Sequence, residues 1–364
     1  MIFDSESVFE DNVITVLKQH GWKDGVLRYP TERDLLDNWK GILYRNNNDI
    51  DRLGKYPLTD GEMAQIIEQI ETLRTPLALN SFVNGRTVSI TRDNKEDVAH
   101  FGKEISLYIY DRKEIAGGKS TYQIAQQPVY PAKNKMLNSR RGDLVLLING
   151  MPLIHIELKK SGIPVSQATN QIEKYTHEGV FTGLFRLVQI FVAMNPDDAV
   201  YFANPGVDKF NPSYYFHWAD YNNEPICGGQ NPGKDEWKLF IGGTSGTAGL
   251  LSIPMAHQLI GFYTIADSAD GCLKVLRSYQ YIAANAISDV VRKCDWEQRP
   301  TTPGRPGGYV WHTTGSGKTM TSFKSAQLIA DSHDADKVVF LMDRIELGTQ
   351  SLKEYRSFAD SETE

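Results

Sequence analysis

The clearest alternation of apolar and polar positions lies between residues 144 and 159. Leu144 to Ile148 is an unbroken apolar run, Asn149-Gly150 marks a turn, and Leu153 to Lys159 alternates. In the second run Ile154, Ile156 and Leu158 fall on one face and His155, Glu157 and Lys159 on the other, the period of a β-strand. The pattern predicts a hairpin. A two-residue Asn-Gly turn would set Asp143 opposite Ile156, on the apolar face. A three-residue loop, Ile148-Asn149-Gly150 with Gly150 in the left-handed region, sets Asp143 opposite His155, on the face of Glu157 and Lys159. The spacing therefore predicts an odd-length loop or a bulge.

Elsewhere the patterning is mostly helical at first. Residues 7 to 20 place Phe9, Val13, Val16 and Leu17 on one face, and Gly21 stops the helix. Residues 31 to 75 read as polar helices with an inward stripe of Met63, Ile66, Ile67 and Ile70. Residues 81 to 130 read as strands and turns, including Ser81 to Ile90 around Asn84-Gly85, and Ile105 to Tyr110. Ser161-Gly162-Ile163-Pro164 breaks the second hairpin strand, and a helix opens at Val165 or Ser166. Gln167, Gln171 and Tyr175 then form one stripe along it. A strand follows at Val188 to Met194, and residues 203 to 235, rich in Asn, Pro and Gly, read as long loops.

The hairpin also carries chemistry. A strand buries an acid–lysine pair only if something binds it, because an unpaired buried charge is expensive. Two carboxylates about 4 Å apart repel by about 4 kcal/mol at an effective dielectric near 20. A divalent cation removes that repulsion, and hard oxygen ligands suit magnesium. A metal held this way activates water and clamps a phosphodiester. The alternative is an ordinary hairpin with a charged, solvated face.

Asp143, then Glu157-x-Lys159, then Gln171-x-x-x-Tyr175 resembles the PD-(D/E)xK nuclease core with its appended Q-x-x-x-Y motif, a combination typical of the restriction (R) subunit of type I restriction–modification enzymes. The usual Pro before the first Asp is replaced by Gly142. The resemblance implies that Asp143 and Glu157 hold the metal, that Lys159 positions or activates the attacking water, and that Gln171 and Tyr175 support cleavage through DNA contact. It also draws attention to Glu10, since the family often uses an early helix glutamate at the active site. Ser7-x-x-Glu10 is equally a capping-box pattern, so both readings of Glu10 stand.

A second motif lies near the other end. Tyr309-Val310-Trp311 reads as a short strand after the Gly/Pro-rich stretch 303–308. His312-Thr313-Thr314-Gly315-Ser316-Gly317-Lys318-Thr319 follows, then a helical pattern to about Asp331, then an apolar run from Lys337 to Met342 that reads as a buried strand. This is the context a P-loop requires. Amides of Gly315, Ser316 and Gly317 and the helix N-terminus would cradle phosphates, Lys318 would reach the β/γ-phosphates, and Thr319 would bind magnesium. His312 stands where the strict pattern has Gly, and this form again resembles the type I R subunit. Gln280, opening the helical run Tyr281 to Val291, resembles the adenine-reading glutamine of superfamily-two motors. Asp343-Arg344-x-Glu346-Leu347 with Gln350 resembles their DNA-backbone motif. No Asp-Glu acidic box follows Thr319; Asp235-Glu236 precedes the loop.

Bulk properties narrow the class. The chain has 364 residues, 41% hydrophobic and 23% charged, enough for about two domains with ample cores. A net charge of −6 does not announce nucleic-acid binding, but Lys133, Lys135, Arg140, Arg141, Lys159 and Lys160 cluster around the acids. Cys227, Cys272 and Cys294 have no metal spacing and point to a reducing, cytoplasmic compartment. No long apolar run favours a membrane span.

The expectation is therefore an α/β chain: a PD-(D/E)xK restriction-endonuclease-like core, a mixed sheet flanked by helices, over residues 1–245, followed over 246–364 by the start of a RecA-like P-loop domain, with the join between about 225 and 265. The resemblance implies a magnesium-dependent DNA endonuclease joined to an ATP-driven translocase, acting on double-stranded DNA beside modification and specificity subunits, with the chain an N-terminal fragment or a truncated copy of an R subunit. The alternatives are a P-loop ATPase with a structural hairpin, or an inactive scaffold docking onto methylase subunits.

Overall fold

The structure is a computed structural model that describes residues 2–115, 117–131, 140–207, 209–293, 307–342 and 345–359. Lys133, Lys135, Cys294, Asp343 and Arg344 lie outside the described residues. The chain opens with helix α1 (Glu6–Gln19), whose N-cap Ser5 accepts a hydrogen bond from the Val8 amide. Its expected inward residues, Phe9, Val13, Val16 and Leu17, are buried. After a short strand β1 (Val26–Arg28) come helices α2 (Glu32–Asn46) and α3 (Asp60–Thr72), each begun by a reciprocal capping box, Thr31 with Asp34 and Thr59 with Glu62.

The stretch expected to form strands from Ser81 onward begins as a helix instead, α4 (Pro76–Asn84). Thr75 caps it and Pro76 occupies its first turn, a start signal that outweighs the Asn84-Gly85 turn signal. Gly85 ends the helix. Strands β2 (Thr87–Thr91) and β3 (Glu104–Tyr108) then pair as a separate antiparallel ribbon.

The main sheet has six strands. Strands β4 (Tyr122–Gln126), β5 (Leu144–Ile148), β6 (Met151–Leu158), β7 (Ile190–Met194) and β8 (Ala199–Ala203) follow β1 in the order β1-β4-β5-β6-β7-β8. The pairs β1–β4 and β6–β7 are parallel and the others antiparallel. Central strands β5 and β6 are buried at every position, as an interior strand covered on both faces must be. Helix α5 (Val165–His177) makes the βαβ crossover from β6 to β7. It packs Ala168 and Ile172 on one face of the sheet against Phe191, Ala193 and Val200. Ile154, Ile156 and Leu158 belong to the core on the other face, with α1. This is the expected mixed sheet flanked by helices.

The β5–β6 turn takes the bulge alternative and not the three-residue loop. Asn149 and Gly150 both have positive φ, 52° and 83°, as a two-residue type I′ turn demands. Ile148 pairs with Met151 and Leu147 with Pro152, but Leu146 pairs with Ile154, so Leu153 is the extra residue of a bulge. Proline cannot donate to the ladder, and Pro152 sits beside the irregularity where that loss is tolerated. Leu144 then pairs with Ile156, which sets Asp143 level with Glu157 and not with His155.

Residues 203–235 are mostly loop, with a short 3₁₀ turn at Pro212–Tyr214. Helix α6 (Glu236–Gly242) sets Trp237 against Phe3 and Phe9, with Asp235 at its N-cap; the Asp235-Glu236 pair is thus a helix start. Helix α7 (Met255–Gly261) and the hairpin β9 (Thr264–Asp267) with β10 (Cys272–Val275) join the same core. Hydrogen bonds tie them there: Trp22 Nε1 donates to Leu251 O, Tyr110 Oη to His257 O and Tyr201 Oη to Leu276 O. Three helices follow, α8 (Ser278–Lys293), α9 (Lys318–Ser332) and α10 (Ile345–Ala359), with α9 packed on both others.

The two motor strands expected at Tyr309–Trp311 and Lys337–Met342 are not formed. Tyr309, Trp311 and Leu341 are 89%, 88% and 92% exposed. A strand is stable only when neighbours take its backbone hydrogen bonds, and no strand is described between 279 and 359 to do so. No helix among the described residues is long and apolar enough to cross a membrane.

Candidate active site

Five elements converge where β5 begins and β6 ends. Asp143 precedes β5, and its Oδ2 accepts a hydrogen bond from the Leu158 amide at 2.7 Å. Glu157, on β6, is fully buried. Lys159 Nζ lies 3.5 Å from Glu157 Oε1 and 3.7 Å from Glu6 Oε1 at the start of α1. His155 is fully buried beneath Phe181 and Phe191, with Nε2 3.3 Å from Glu157 Oε2. Neither Glu157 oxygen nor His155 Nε2 has a partner in hydrogen-bond geometry. Unsatisfied buried carboxylate oxygens are costly and mark a place for a ligand.

Electrostatics point the same way. Burial, reinforced by the Glu157 charge, holds the Asp143 carboxyl well above the usual carboxylate range. Burial lifts Glu157 to about 8 despite the nearby Lys159 ammonium. Burial also pushes His155 down to about 4, so its imidazole is neutral at neutral pH. Two acids that resist ionisation side by side are what a bound cation would relieve.

Gln171 and Tyr175 are brought to this site by α5. Gln171 Nε2 donates to Tyr175 Oη at 2.6 Å, and that hydroxyl donates to the Arg141 carbonyl at 2.9 Å, two residues before Asp143. Gln167, one turn earlier on the stripe, is exposed. Glu10 is here too. Ser5, and not Ser7, caps α1, so Glu10 takes no part in a capping box. Its buried carboxylate accepts from Gln126 Nε2 at 2.6 Å and from Gln127 Nε2 at 3.2 Å. Burial raises its pKa, and the Asp143 charge adds to the shift.

Four contributors carried no periodic or motif signal. Gln126 and Gln127 lie at the end of β4, Glu6 on α1, and Tyr130 beyond β4 with its hydroxyl 2.8 Å from His155 Nδ1. Each is distant in sequence and is recruited only by the fold. Of the basic cluster, Arg140 is occupied by Glu178 at 2.8 Å, and Lys160 reaches the Asp4 carbonyl at the surface.

The second site is less finished. Gly315 and Gly317 both have φ of +78°, and Gly317 is the left-handed N-cap of α9, so the loop delivers Lys318 and Thr319 to the first turn of a helix. Lys318 is exposed, and its Nζ donates back to the Thr313 carbonyl at 2.9 Å. Gln280 is buried against the loop. Its Nε2 donates to the carbonyls of Ser316 and Gly317 at 3.3 and 3.2 Å, and its Oε1 accepts from the Arg277 amide. Both amide ends are thus engaged by backbone, and reading a base edge requires the loop to release them. A cavity bordered by Gln280, Ser316, Gly317, Met320 and Phe216 opens beside it. Glu346 and Gln350 lie exposed on α10.

The chain is thus an α/β protein whose mixed sheet bears a buried acid–lysine cluster and whose later part carries a Gly-Ser-Gly-Lys-Thr loop opening a helix. Comparison with known proteins narrows this. Residues 4–210 match the family described as type I restriction enzyme R protein N terminus, and residues 279–364 match the SWI2/SNF2 ATPase family. The chain belongs to the type I restriction enzyme R protein N-terminal family. It is 32% identical over 361 residues to the type I restriction enzyme SauCOLORF180P endonuclease subunit of Staphylococcus aureus, covering 99% of this chain and 34% of that protein. It is 30% identical over 367 residues to the SsaAORF53P endonuclease subunit of Staphylococcus saprophyticus, with the same coverage. With the EcoprrI endonuclease subunit of Escherichia coli it shares 29% over 217 residues, 58% of this chain and 62% of that one. The chain spans about a third of the length of the first of these relatives.

Proposed function

We propose that this chain carries the DNA-cleaving site of a type I restriction enzyme R subunit, joined to the first elements of an ATP-driven DNA translocase. The observation that carries this is Glu157: fully buried, level with Asp143, beside the Lys159 ammonium at 3.5 Å, and with neither carboxylate oxygen in hydrogen-bond geometry with a partner. No three His, Cys, Asp or Glu side chains gather at metal spacing among the described residues. A cation here would take two protein carboxylates and complete its shell from water and phosphate, as magnesium commonly does. When bound, it would neutralise the acids and activate water for attack on a phosphodiester.

The protein groups then have separate roles. Asp143 and Glu157 are the metal ligands. Lys159 holds Glu157 and orients the attacking water at its ammonium. Gln171 and Tyr175 brace the backbone before Asp143 and meet the DNA, and Glu10 borders the acids from α1. Residues 1–245 form the nuclease part and 246–364 the motor part, with the join between about 225 and 265. In the motor, Gly315, Ser316, Gly317 and Lys318 would hold the phosphates of ATP, Thr319 its magnesium, and Gln280 would read the adenine edge. Double-stranded DNA is the substrate, the modification and specificity subunits are the partners, and the compartment is the cytoplasm.

The test is plasmid cleavage by the assembled enzyme. Loss of magnesium-dependent cutting in Glu157→Ala, with ATP turnover kept, supports the nuclease reading. Full cutting by that variant, with turnover lost only in Lys318→Ala, would favour the alternative of a P-loop ATPase with a structural hairpin.

A further inference from the structure

The acid–lysine cluster does not explain His155 and Tyr130, which form a continuous line behind it. Tyr130 Oη lies 2.8 Å from His155 Nδ1, and His155 Nε2 lies 3.3 Å from Glu157 Oε2. All three residues are buried. The line also has a space requirement. A Cβ at Gly142 would sit 2.4 Å from Tyr130 Oη and 2.8 Å from His155 Cε1. Gly142 has no positive φ; glycine is needed there because the phenol and the imidazole occupy the volume of a side chain.

The chemistry fixes the direction of the hydrogen bonds. When Glu157 is ionised, as a cation ligand must be, an Nδ1–H tautomer would set the Nε2 lone pair beside a carboxylate oxygen, an acceptor facing an acceptor. The opposite tautomer has Tyr130 donate to Nδ1 and places the Nε2 proton on the side of Glu157 Oε2, with Nε2 3.3 Å away and outside hydrogen-bond geometry until the carboxylate turns toward it. Only this arrangement lets every group in the line interact favourably with its neighbour. Second partners of a metal ligand commonly set its orientation in this way.

We propose that His155, held by Tyr130 in the Nε2–H tautomer, is a positioning residue that fixes the Glu157 carboxylate for a divalent cation, with Gly142 making the space. The inference rests on the metal reading of Asp143 and Glu157. With imidazole Nε2 3.3 Å from Oε2 and Lys159 Nζ 3.5 Å from Oε1, Glu157 lies between two nitrogen donors. Phe181 and Phe191 pack on the imidazole, so losing the Nε2–H removes the polar partner that the ring brings beside Oε2.

The test is Mn²⁺ affinity of the full chain without nucleotide, read from the electron paramagnetic resonance signal of free Mn²⁺, with Glu157→Gln as the blank. His155→Asn, whose amide reaches only the Nδ1 position, should bind at least about tenfold more weakly. His155→Gln, whose amide reaches the Nε2 position, should bind within about threefold of the parent, since it restores the donor. Gly142→Ala should resemble His155→Asn although it removes no polar group. Equal affinity in His155→Asn and the parent overturns the inference, as does equal loss in the Asn and Gln variants, which would mean ring volume alone matters. If His155→Asn does not fold, Gly142→Ala and Tyr130→Phe decide, and unchanged affinity in both overturns it. A parent chain that binds Mn²⁺ no better than Glu157→Gln defeats the metal reading itself, a distinct result.

Discussion

Strand β6 and the run 338–341 differ in what surrounds them more than in what they are made of. Both are apolar stretches leading to a charged pair of residues. β6 lies between β5 and β7, is buried throughout, and delivers Glu157 into the interior. The run at Val339 and Leu341 has no neighbouring strand among the described residues and stands 84% and 92% exposed. The same contrast separates the two sites. Lys159 lies between Glu157 and Glu6 of α1, and Asp143 is bonded to the amide of Leu158, which stands between Glu157 and Lys159 in sequence, whereas Lys318 is exposed and hydrogen-bonded to its own loop. A chemically competent motif becomes a preorganised site only when several elements converge on it.

The largest effect that would break this comparison lies at the acids. Glu157→Ala and Lys159→Ala should each lower magnesium-dependent plasmid cleavage by the assembled enzyme at least about 10³-fold, because charge neutralisation and water activation of several kcal/mol are lost together. Circular dichroism should show the fold intact. Full cutting by either folded variant would mean that the finished-looking site is structural.

Next is the unfinished site. Lys318→Ala in the complete subunit should stop ATP-driven translocation and, through it, cleavage. The chain should bind ATP weakly, because Lys318 is bonded to its own loop and both amide ends of Gln280 are taken by backbone. DNA-stimulated phosphate release by the isolated chain, lost in Lys318→Ala, would show that the second site is better formed than its contacts suggest.

Smaller effects sharpen the contrast. Tyr175→Phe removes the bond to the Arg141 carbonyl and should slow cleavage about tenfold, as the loss of one hydrogen bond near 1.4 kcal/mol would. ATP turnover in the complete subunit should not change. An equal fall in both activities would show that α5 serves the fold and not the site.

The smallest effect is on stability. The folded pKa of Glu157 is raised to about 8 from 4.5 by burial. A raised carboxyl stabilises the folded state while protonated, so its ionisation costs stability increasingly as pH climbs from 4.5 towards 8. Without divalent cation, Glu157→Gln should therefore melt higher than the parent at pH 8. The gap should close at pH 5, and magnesium should narrow it at pH 8. A variant that melts lower at pH 8 would show that Lys159 and His155 already compensate the charge.

Residues with a local rule were legible before any fold was known. The alternation of Ile154, Ile156 and Leu158 with His155, Glu157 and Lys159 held, as did the Gln171–Tyr175 stripe, the inward face of α1 and the Gly-rich start of α9. These depend on repeat lengths of 2.0 and 3.6 residues and on glycine's access to positive φ, which are properties of the chain itself. Even the need for a bulge or odd loop beside Asp143 followed from parity alone.

What the tertiary structure decided was every partnership across sequence distance. It chose the bulge at Leu153 over a longer loop, brought Glu10 to Gln126 and Gln127, and set Tyr130 behind His155. It also left the apolar runs around 310 and 340 without strand neighbours among the described residues. A hydrogen bond or a buried charge is settled by whatever group comes to lie beside it, and no periodicity in one segment states what another will place there.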